Sequence, residues 1–372
     1  MLKDAVPVET LSRALVIKLR HHGDVLLSAP VLSALKAAAP QLEIDALVYD
    51  DTAPMLVGHP ALAQLHTVGR AWKGLGVFAR LSAEWALYRT LRARGYDLIV
   101  HLSEQPRGAW LARHLGARWS VAPAMRERGR FWKRSFTHFY ALPRNGRRHQ
   151  VELNLDALRR IGVQPAQAER RVRIEAGAEA ARSAAALLEA QGLQRGSYIH
   201  LHPASRWKFK CWPAQSTAAL IDRLSQDPAW HGRIVLTAAP DPAELALVQD
   251  IVSRTRATLV NLAGRLSLKE LVAVIGGARL SVCVDSMPMH VASATGTPVV
   301  ALFGPSGEHE WGPWMVPHEV VTSSHACRPC GNDGCGGGKV SECLVRLGVE
   351  AVHDAARRLL DAPRSAPQSA QG

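Results

Sequence analysis

Several stretches carry side chains able to do chemistry. Gly23-Asp24 follows a short apolar run, A-L-V-I-K-L. A glycine lets a ligand approach the backbone, and the neighbouring carboxylate could serve as a general base. An Asp at the start of a helix is just as commonly an N-cap. Residues 202–212, H-P-A-S-R-W-K-F-K-C-W, bring Ser205, Arg206, Lys208 and Lys210 to the start of an expected helix. That setting suits a phosphate, though charge runs are also often solvated loops. Residues 280–306 read as strand, acidic turn, short helix from about Pro288, Gly296 and a second strand. Two short β-rich runs around one helix make a βαβ unit with parallel strands. Asp285 and Ser286 end the first strand; Gly304, Pro305 and Ser306 end the second. Polar residues at the carboxyl ends of parallel strands face the ligand crevice of an open sheet.

Cys327, Cys330, Cys335 and Cys343 lie within 17 positions, with Gly331, Gly334 and 336–338 between them. Four thiolates could wrap one tetrahedral Zn²⁺, and a four-Cys site would be structural because no open position remains. Reduced thiols in a loop are the other reading. Commoner nucleotide and metal motifs are missing. There is no G-x-x-x-x-G-K-[ST], Gly74-Leu75-Gly76 lacks the third glycine of a dinucleotide fingerprint, and His309-Glu310 lacks the second His of a zinc protease.

The elements that must position these residues alternate between strand and helix. In the first half, strands are expected at 14–19, 44–48, 65–68, 96–102 and 119–122, with helices at 25–38, 82–94, 110–115 and 151–161. Residues 1–12 read as an unstructured lead and 162–173 as a linker. In the second half, strands are expected at 198–202, 234–237, 259–261, 280–284 and 299–303. The helices there are 178–191, 212–224, 242–253, 267–276 and 349–360. Two β/α halves of similar length predict an α/β chain of two Rossmann-like domains facing across a cleft; one large sheet is the alternative. The 372 residues suffice for two domains. No apolar run is long enough for a membrane span, and the first residues lack a secretory h-region, so a cytoplasmic location is expected. The net charge of +13 is concentrated in residues 107–148, where eleven Lys/Arg face one acid, Glu127. Phe131, Trp132, Phe136, Phe139 and Tyr140 interleave with it. Such a field attracts nucleic acid, an acidic membrane or a phosphorylated substrate.

Taken together, K-L-R-H-H-G-D-V-L-L-S-A-P-V-L (18–32), the 202–212 stretch and V-D-S-M-P-M-H-V-A-S-A-T-G-T-P-V-V-A-L-F-G-P-S (284–306) resemble the ADP-heptose:lipopolysaccharide heptosyltransferases, glycosyltransferase family 9. The R-H-H-G-D-V-L-L form and the Cys-rich tail are most similar to the heptosyltransferase III branch. The resemblance implies a GT-B fold, with an acceptor-binding domain at 12–165 and an ADP-heptose-binding domain at 166–345. A C-terminal helix at 346–360 and a disordered tail at 361–372 follow. It implies inverting, metal-independent transfer of heptose to an inner-core heptose of lipopolysaccharide, with types I and II as alternatives and a basic nucleic-acid-binding protein as the reading from another class. Asp24 would be the catalytic base. Ser205, Lys210, Asp285, Ser286 and His290 would hold the diphosphate and sugar, Asp241 or Glu244 the ribose, and Leu266 the adenine. Arg20, His21, His22, Arg126, Arg128 and Arg130 would meet the phosphorylated acceptor. No catalytic cofactor is implied, a structural Zn is the one metal considered, and the partners are the glycolipid and the inner membrane's cytoplasmic face, not nucleic acid.

Overall fold

Continuous apolar runs become strands buried on both faces, as parallel pairing demands. The structure is a computed structural model that describes residues 4–143 and 146–363. The chain divides into two compact units, one ending at Glu175 and the other beginning at Ala176. The first contains β1 (Arg13–Ile17), α1 (His22–Leu26), α2 (Ala29–Ala38), β2 (Glu43–Tyr49), β3 (Gln64–Val68) and α3 (Val77–Arg94). It continues with β4 (Leu98–His101), α4 (Pro106–His114), β5 (Trp119–Pro123), α5 (Arg130–Lys133), β6 (His138–Tyr140) and α6 (Gln150–Arg160). All strands are parallel in the order β3-β2-β1-β4-β5-β6. Leu15, Ile17, Leu47 and Ile99 pack with α4 and Leu91 of α3 on one face, while α2 and α6 lie together beside the sheet.

The second unit contains α7 (Ala178–Glu189), β7 (Ile199–His202), α8 (Ala214–Leu224), β8 (Ile234–Leu236), α9 (Pro242–Arg254), β9 (Val260–Asn261) and α10 (Leu268–Gly277). Then come β10 (Leu280–Val284), α11 (Met287–Thr295), β11 (Val299–Phe303), α12 (Glu308–Trp311), β12 (His318–Thr322), α13 (Glu342–Val345) and α14 (Val349–Asp361). The order β12-β11-β10-β7-β8-β9 repeats that of the first sheet, counted within the unit. Two separate doubly wound sheets replace the single-sheet alternative. In each, the order reverses beside the unit's first strand, at β1/β4 and at β7/β10.

Several expectations are corrected. The domain boundary lies at 175/176, because Val172 is buried and the turn Ala168–Arg170 rests on α2, so 166–175 belongs to the first unit. The lead is not unstructured over its described part. Val6, Val8 and Leu11 are buried, and Val6 N–H donates to the Ile161 carbonyl at 2.9 Å. The single helix at 25–38 is two, because Pro30 has no N–H to continue the ladder and Ser28 Oγ donates to Val25 O at 2.7 Å. α3 begins at Val77, five residues before the expected start. α14 packs on β11, β12 and α8 as part of the second unit and includes Asp361; the rest of the expected tail, from 364, and Arg144 of the basic stretch lie outside the described residues.

One buried charge cluster ties the first unit together. Asp45, fully buried in β2, accepts from Arg94 Nε at 2.8 Å and Tyr96 Oη at 2.8 Å, and His66 Nε2 lies 3.3 Å away. Burial pushes this carboxyl up, but His66, Arg94 and Tyr96 outweigh it and hold the pKa down at about 2. The folded value is below the unfolded one, so the stabilisation is complete above the ordinary value of 3.8 and is lost as pH falls toward 2. Asp45→Asn should lower unfolding stability by about 3 kcal/mol near neutral pH and flatten the acid limb between pH 4 and 2, read by urea titration across that range.

Candidate functional site

In the first unit the candidate residues gather at the carboxyl end of β1. The chain leaves Ile17 through Lys18 and reaches Asp24 in the first turn of α1. Asp24 is largely buried, and Arg20 Nε lies 3.7 Å from its Oδ1. Lys18 is buried, and its Nζ donates to Leu102 O at 2.9 Å and Asn154 Oδ1 at 3.0 Å. Burial lowers its pKa to about 8, and the charge of Asp24 is the largest influence holding it up. The β1–α1 turn is fastened to the end of β2: His22 Nε2 meets Asp51 O at 2.9 Å, and Arg70, stacked 4.1 Å over Tyr49, donates to Arg20 O at 3.1 Å. Arg128 donates to Glu104 O at 2.8 Å, which fixes it to the loop after β4 that also receives Lys18. Arg20, Lys18, Asp24 and Arg128 are thus linked through the β1 and β4 ends. His21 occupies the N-cap position of α1 without a side-chain cap, Arg126 is exposed on the loop before α5, and Arg130 is exposed at the start of α5.

The second unit repeats the arrangement. Lys210, in the loop after β7, donates to Asp285 Oδ2 at 2.6 Å, just past the end of β10. β7 and β10 are the neighbours at which the strand order reverses. Asp285 is buried, and Lys210 keeps partial access to solvent. Ser286 is the N-cap position of α11 but makes no side-chain cap; its hydroxyl donates to Val284 O at 3.3 Å. His290 follows, buried, in the first turns of α11. Ser205 is buried and accepts from Trp207 N–H at 3.3 Å, so its hydroxyl shapes the loop that carries Lys210. At the end of β8, Asp241 caps α9 by accepting from Ala243 and Glu244 N–H groups, while Glu244, whose pKa burial raises, accepts from Ala239 N–H at 2.9 Å. Leu266 packs on the core beside the end of β9, just before the Ser267 capping box. All eight donor candidates therefore stand at the carboxyl edge of one sheet. A cleft of about 770 Å³ lies away from both strand-end clusters, between residues 5–9, α2 and 162–164.

The Cys-rich loop fastens to the same edge. Arg328 Nε donates to Gly304 O at 2.7 Å, Gly331 N–H to Pro305 O at 2.9 Å, and Ser341 Oγ to Phe209 O at 2.6 Å. A Cβ at Gly304 would stand 2.6 Å from Leu344, so only glycine lets the loop close there. Cys343 is buried; Cys327, Cys330 and Cys335 are exposed free thiols. Burial raises the Cys343 pKa, and the nearby Cys335 and Cys330 add to it. Among the described residues no three His, Cys, Asp or Glu side chains converge as a preformed metal site.

Two groups were missed by sequence reasoning. The apolar run 14–19 reads as strand through Lys18, although a lysine within such a run is itself the signal, and Lys18 stands just past the end of β1. His200 and His202 point to the face of β7 opposite Ile199 and Leu201, where His200 meets Ser281 Oγ and Thr237 Oγ1 at 2.8 Å each, and His202 meets Thr237 at 2.9 Å. Burial lowers both imidazoles, His202 to about 4, so this network beneath the strand ends is neutral.

Comparison with known proteins bears on these clusters. The model of glycosyltransferase family 9 (heptosyltransferase) matches residues 84–340. Lipopolysaccharide heptosyltransferase 3 of Escherichia coli K12 is 36% identical over 299 residues, 80% of this chain and 83% of that protein. Lipopolysaccharide heptosyltransferase 1 of Pseudomonas aeruginosa is 27% identical over 87% of each chain. Among solved structures, a glycosyl transferase family 9 protein from Veillonella parvula superposes with a TM-score of 0.82 at 24% identity, covering 96% of this chain and 99% of its own. E. coli ADP-heptose lps heptosyltransferase II gives 0.73 at 20% identity, with 94% and 98% covered, so the expected GT-B fold holds.

The Lys210–Asp285 pair generates a direct test. Lys210→Met strands a buried carboxylate and should destabilise the chain by about 1–3 kcal/mol, discounted for the lysine's partial exposure. Lys210→Met combined with Asp285→Asn should recover part of that loss in a denaturant double-mutant cycle; strict additivity would show that the contact contributes nothing.

Proposed function

Because this chain belongs to glycosyltransferase family 9, the heptosyltransferases, we propose that it transfers L-glycero-D-manno-heptose from ADP-heptose to an inner-core heptose of lipopolysaccharide, as a type III enzyme. The observation that carries the reading is the 36% identity to lipopolysaccharide heptosyltransferase 3 across four-fifths of both chains. In this scheme the Asp24 carboxylate takes the proton of the acceptor hydroxyl as that oxygen attacks the anomeric carbon. The bond from that carbon to the diphosphate oxygen breaks, ADP leaves with the electron pair, and the configuration inverts. Charge grows on the departing diphosphate. Lys210 and the backbone N–H groups opening α11 supply fixed positive potential for it without a metal ion. The diphosphate thereby competes with Asp285 for Lys210, which frees the Asp285 carboxylate to accept sugar hydroxyls. Lys18, held by Leu102 O and Asn154 Oδ1, places a buried cation beneath this end of the sheet.

The same reading places the enzyme at the cytoplasmic face of the inner membrane, where a lipid-linked acceptor is presented; among the described residues no helix is long and apolar enough to cross a membrane. A Zn²⁺ on Cys327, Cys330, Cys335 and Cys343 would staple the loop that reaches Phe209 and Gly304. Its support is the spacing of four cysteines within 17 positions. Elemental analysis of protein purified without added metal should then find about one Zn per chain; none would remove this part.

Asp24→Asn should reduce transfer by roughly 10²–10⁴-fold, the usual contribution of a general base, while calorimetric ADP-heptose binding stays unchanged. Unaltered turnover would remove Asp24 as the base. Micromolar binding of short RNA by the wild-type chain with no binding of ADP-heptose would overturn the enzyme reading itself.

A further inference from the structure

α3 is an 18-residue helix with little core beneath it. Of its residues only Leu91, near the C-terminal end, is fully buried. The first turns instead present Val77 (71% exposed), Phe78 (88%), Leu81 (61%) and Trp85 (59%) to solvent. At 100° per residue these four fall within an arc of about 100°, one coherent stripe. Single exposed apolar residues need no explanation, but a contiguous stripe of large ones marks a surface that something covers.

The stripe continues beyond the helix. Trp85 contacts Tyr88 with ring centroids 5.3 Å apart, and Tyr88 contacts Trp110 of α4 edge-on at 5.3 Å. Trp110 is itself partly exposed. One turn further along α4, Arg113 lies over the exposed Phe131 ring of α5 at 5.8 Å. Cations border this apolar line. Arg80 flanks one side of the α3 stripe and Arg89 the other, both exposed, with Arg113 between Trp110 and Phe131. Residues 77–134 hold twelve Lys/Arg against four acids, and one of those acids, Glu84, is paired with Arg107.

We infer that this face of the first unit, α3 with Trp110 and Phe131, is the surface by which the protein docks on an anionic phospholipid bilayer. Phe78, Leu81 and Trp85 enter the headgroup–acyl boundary, and the arginines meet lipid phosphates. The chemistry favours a bilayer over nucleic acid, because aliphatic Val77 and Leu81 offer nothing to a base but suit acyl chains. It favours a bilayer over a second copy of the chain, because two such faces would bring their arginines together. The stripe is confined to the first turns of α3, Val77 to Trp85, where bulky apolar side chains beside cations suit the interfacial plane, and each cation near an anionic surface adds to the affinity. The inference rests on the proposed lipid-linked acceptor only for its purpose; the surface itself is read from exposure and charge. It extends the expected basic field of 107–148 to the first turns of α3.

The test uses the full chain with neither donor nor acceptor present, so it stands apart from catalysis. Co-sedimentation with phosphatidylglycerol-containing vesicles should show binding that weakens with salt and is at least about tenfold weaker on pure phosphatidylcholine. Phe78→Ser with Trp85→Ser should reduce binding to the anionic vesicles by at least about tenfold. Arg80→Glu with Arg89→Glu should do the same through charge alone. Both variants should keep the wild-type melting curve and wild-type turnover on a lipid-free core oligosaccharide acceptor. Absence of vesicle binding by the wild type, or equal binding by both variants, would overturn the inference. So would a shift of Phe78→Ser/Trp85→Ser from dimer to monomer in sedimentation, or a loss of RNA binding in place of vesicle binding.

Discussion

Parallel pairing constrains everything else in this molecule. Six strands running the same way must each begin at one edge of the sheet and finish at the other, with a crossover returning the chain every time. The finishing edge collects six loops, and where the strand order reverses, adjacent loops diverge and leave room for a ligand. Both units meet this constraint with the same order, and both place their acidic residue beside the reversal: Asp24 after β1, Asp285 after β10 and across from β7. The chemistry is therefore located by topology before any side chain is considered.

Burying charge beneath those edges costs free energy, and the two units offset that cost differently. Lys18 is paired with a carbonyl, an amide oxygen and a nearby carboxylate, yet its pKa still falls to about 8, so desolvation wins narrowly. Around Asp45 the balance goes the other way, because several donors converge on one carboxylate. Below the second unit's edge the problem is avoided: His200 and His202 stay neutral and are satisfied by hydroxyls. The consequence is a set of loops resting on rigid polar foundations, which is what a site needs if its groups are to hold position when a charged ligand arrives.

Much of this was legible in the residues. Strands such as Leu280–Val284 and Val299–Phe303 are unbroken apolar runs, and Gly296 closes α11 in the left-handed conformation that glycine favours. Asp285, Lys210 and Asp24 could be singled out because each stands at a visible strand end. What stayed hidden has physical causes. β6 is three residues long inside a basic aromatic stretch, and β12 is an edge strand whose polar residues mask its pattern. The first turn of α3 stayed hidden although 82–94 read as helix, because Val77 to Leu81 are apolar residues that face away from the core. The contacts of Lys18 with Leu102 and Asn154, and of Asp45 with Arg94, join residues far apart in sequence, and local spacing carries no trace of them.

The loop between β12 and α13 touches the sheet edge at few places: the Arg328 side chain on Gly304, the Gly331 backbone on Pro305 and Ser341 on Phe209. Between those anchors its residues are mostly exposed and rich in glycine. Such a segment bears on the rest of the unit only through its anchors. Its length outside the cysteines and Gly334 is free to drift over evolutionary time at little thermodynamic cost, since closing a longer loop adds only a logarithmic entropy term. Divergence between relatives should accumulate at the exposed positions of this loop other than its cysteines, while Gly334, whose added Cβ would stand 2.6 Å from the Val340 backbone nitrogen, and Gly304, which lets Leu344 close against β11, stay under constraint.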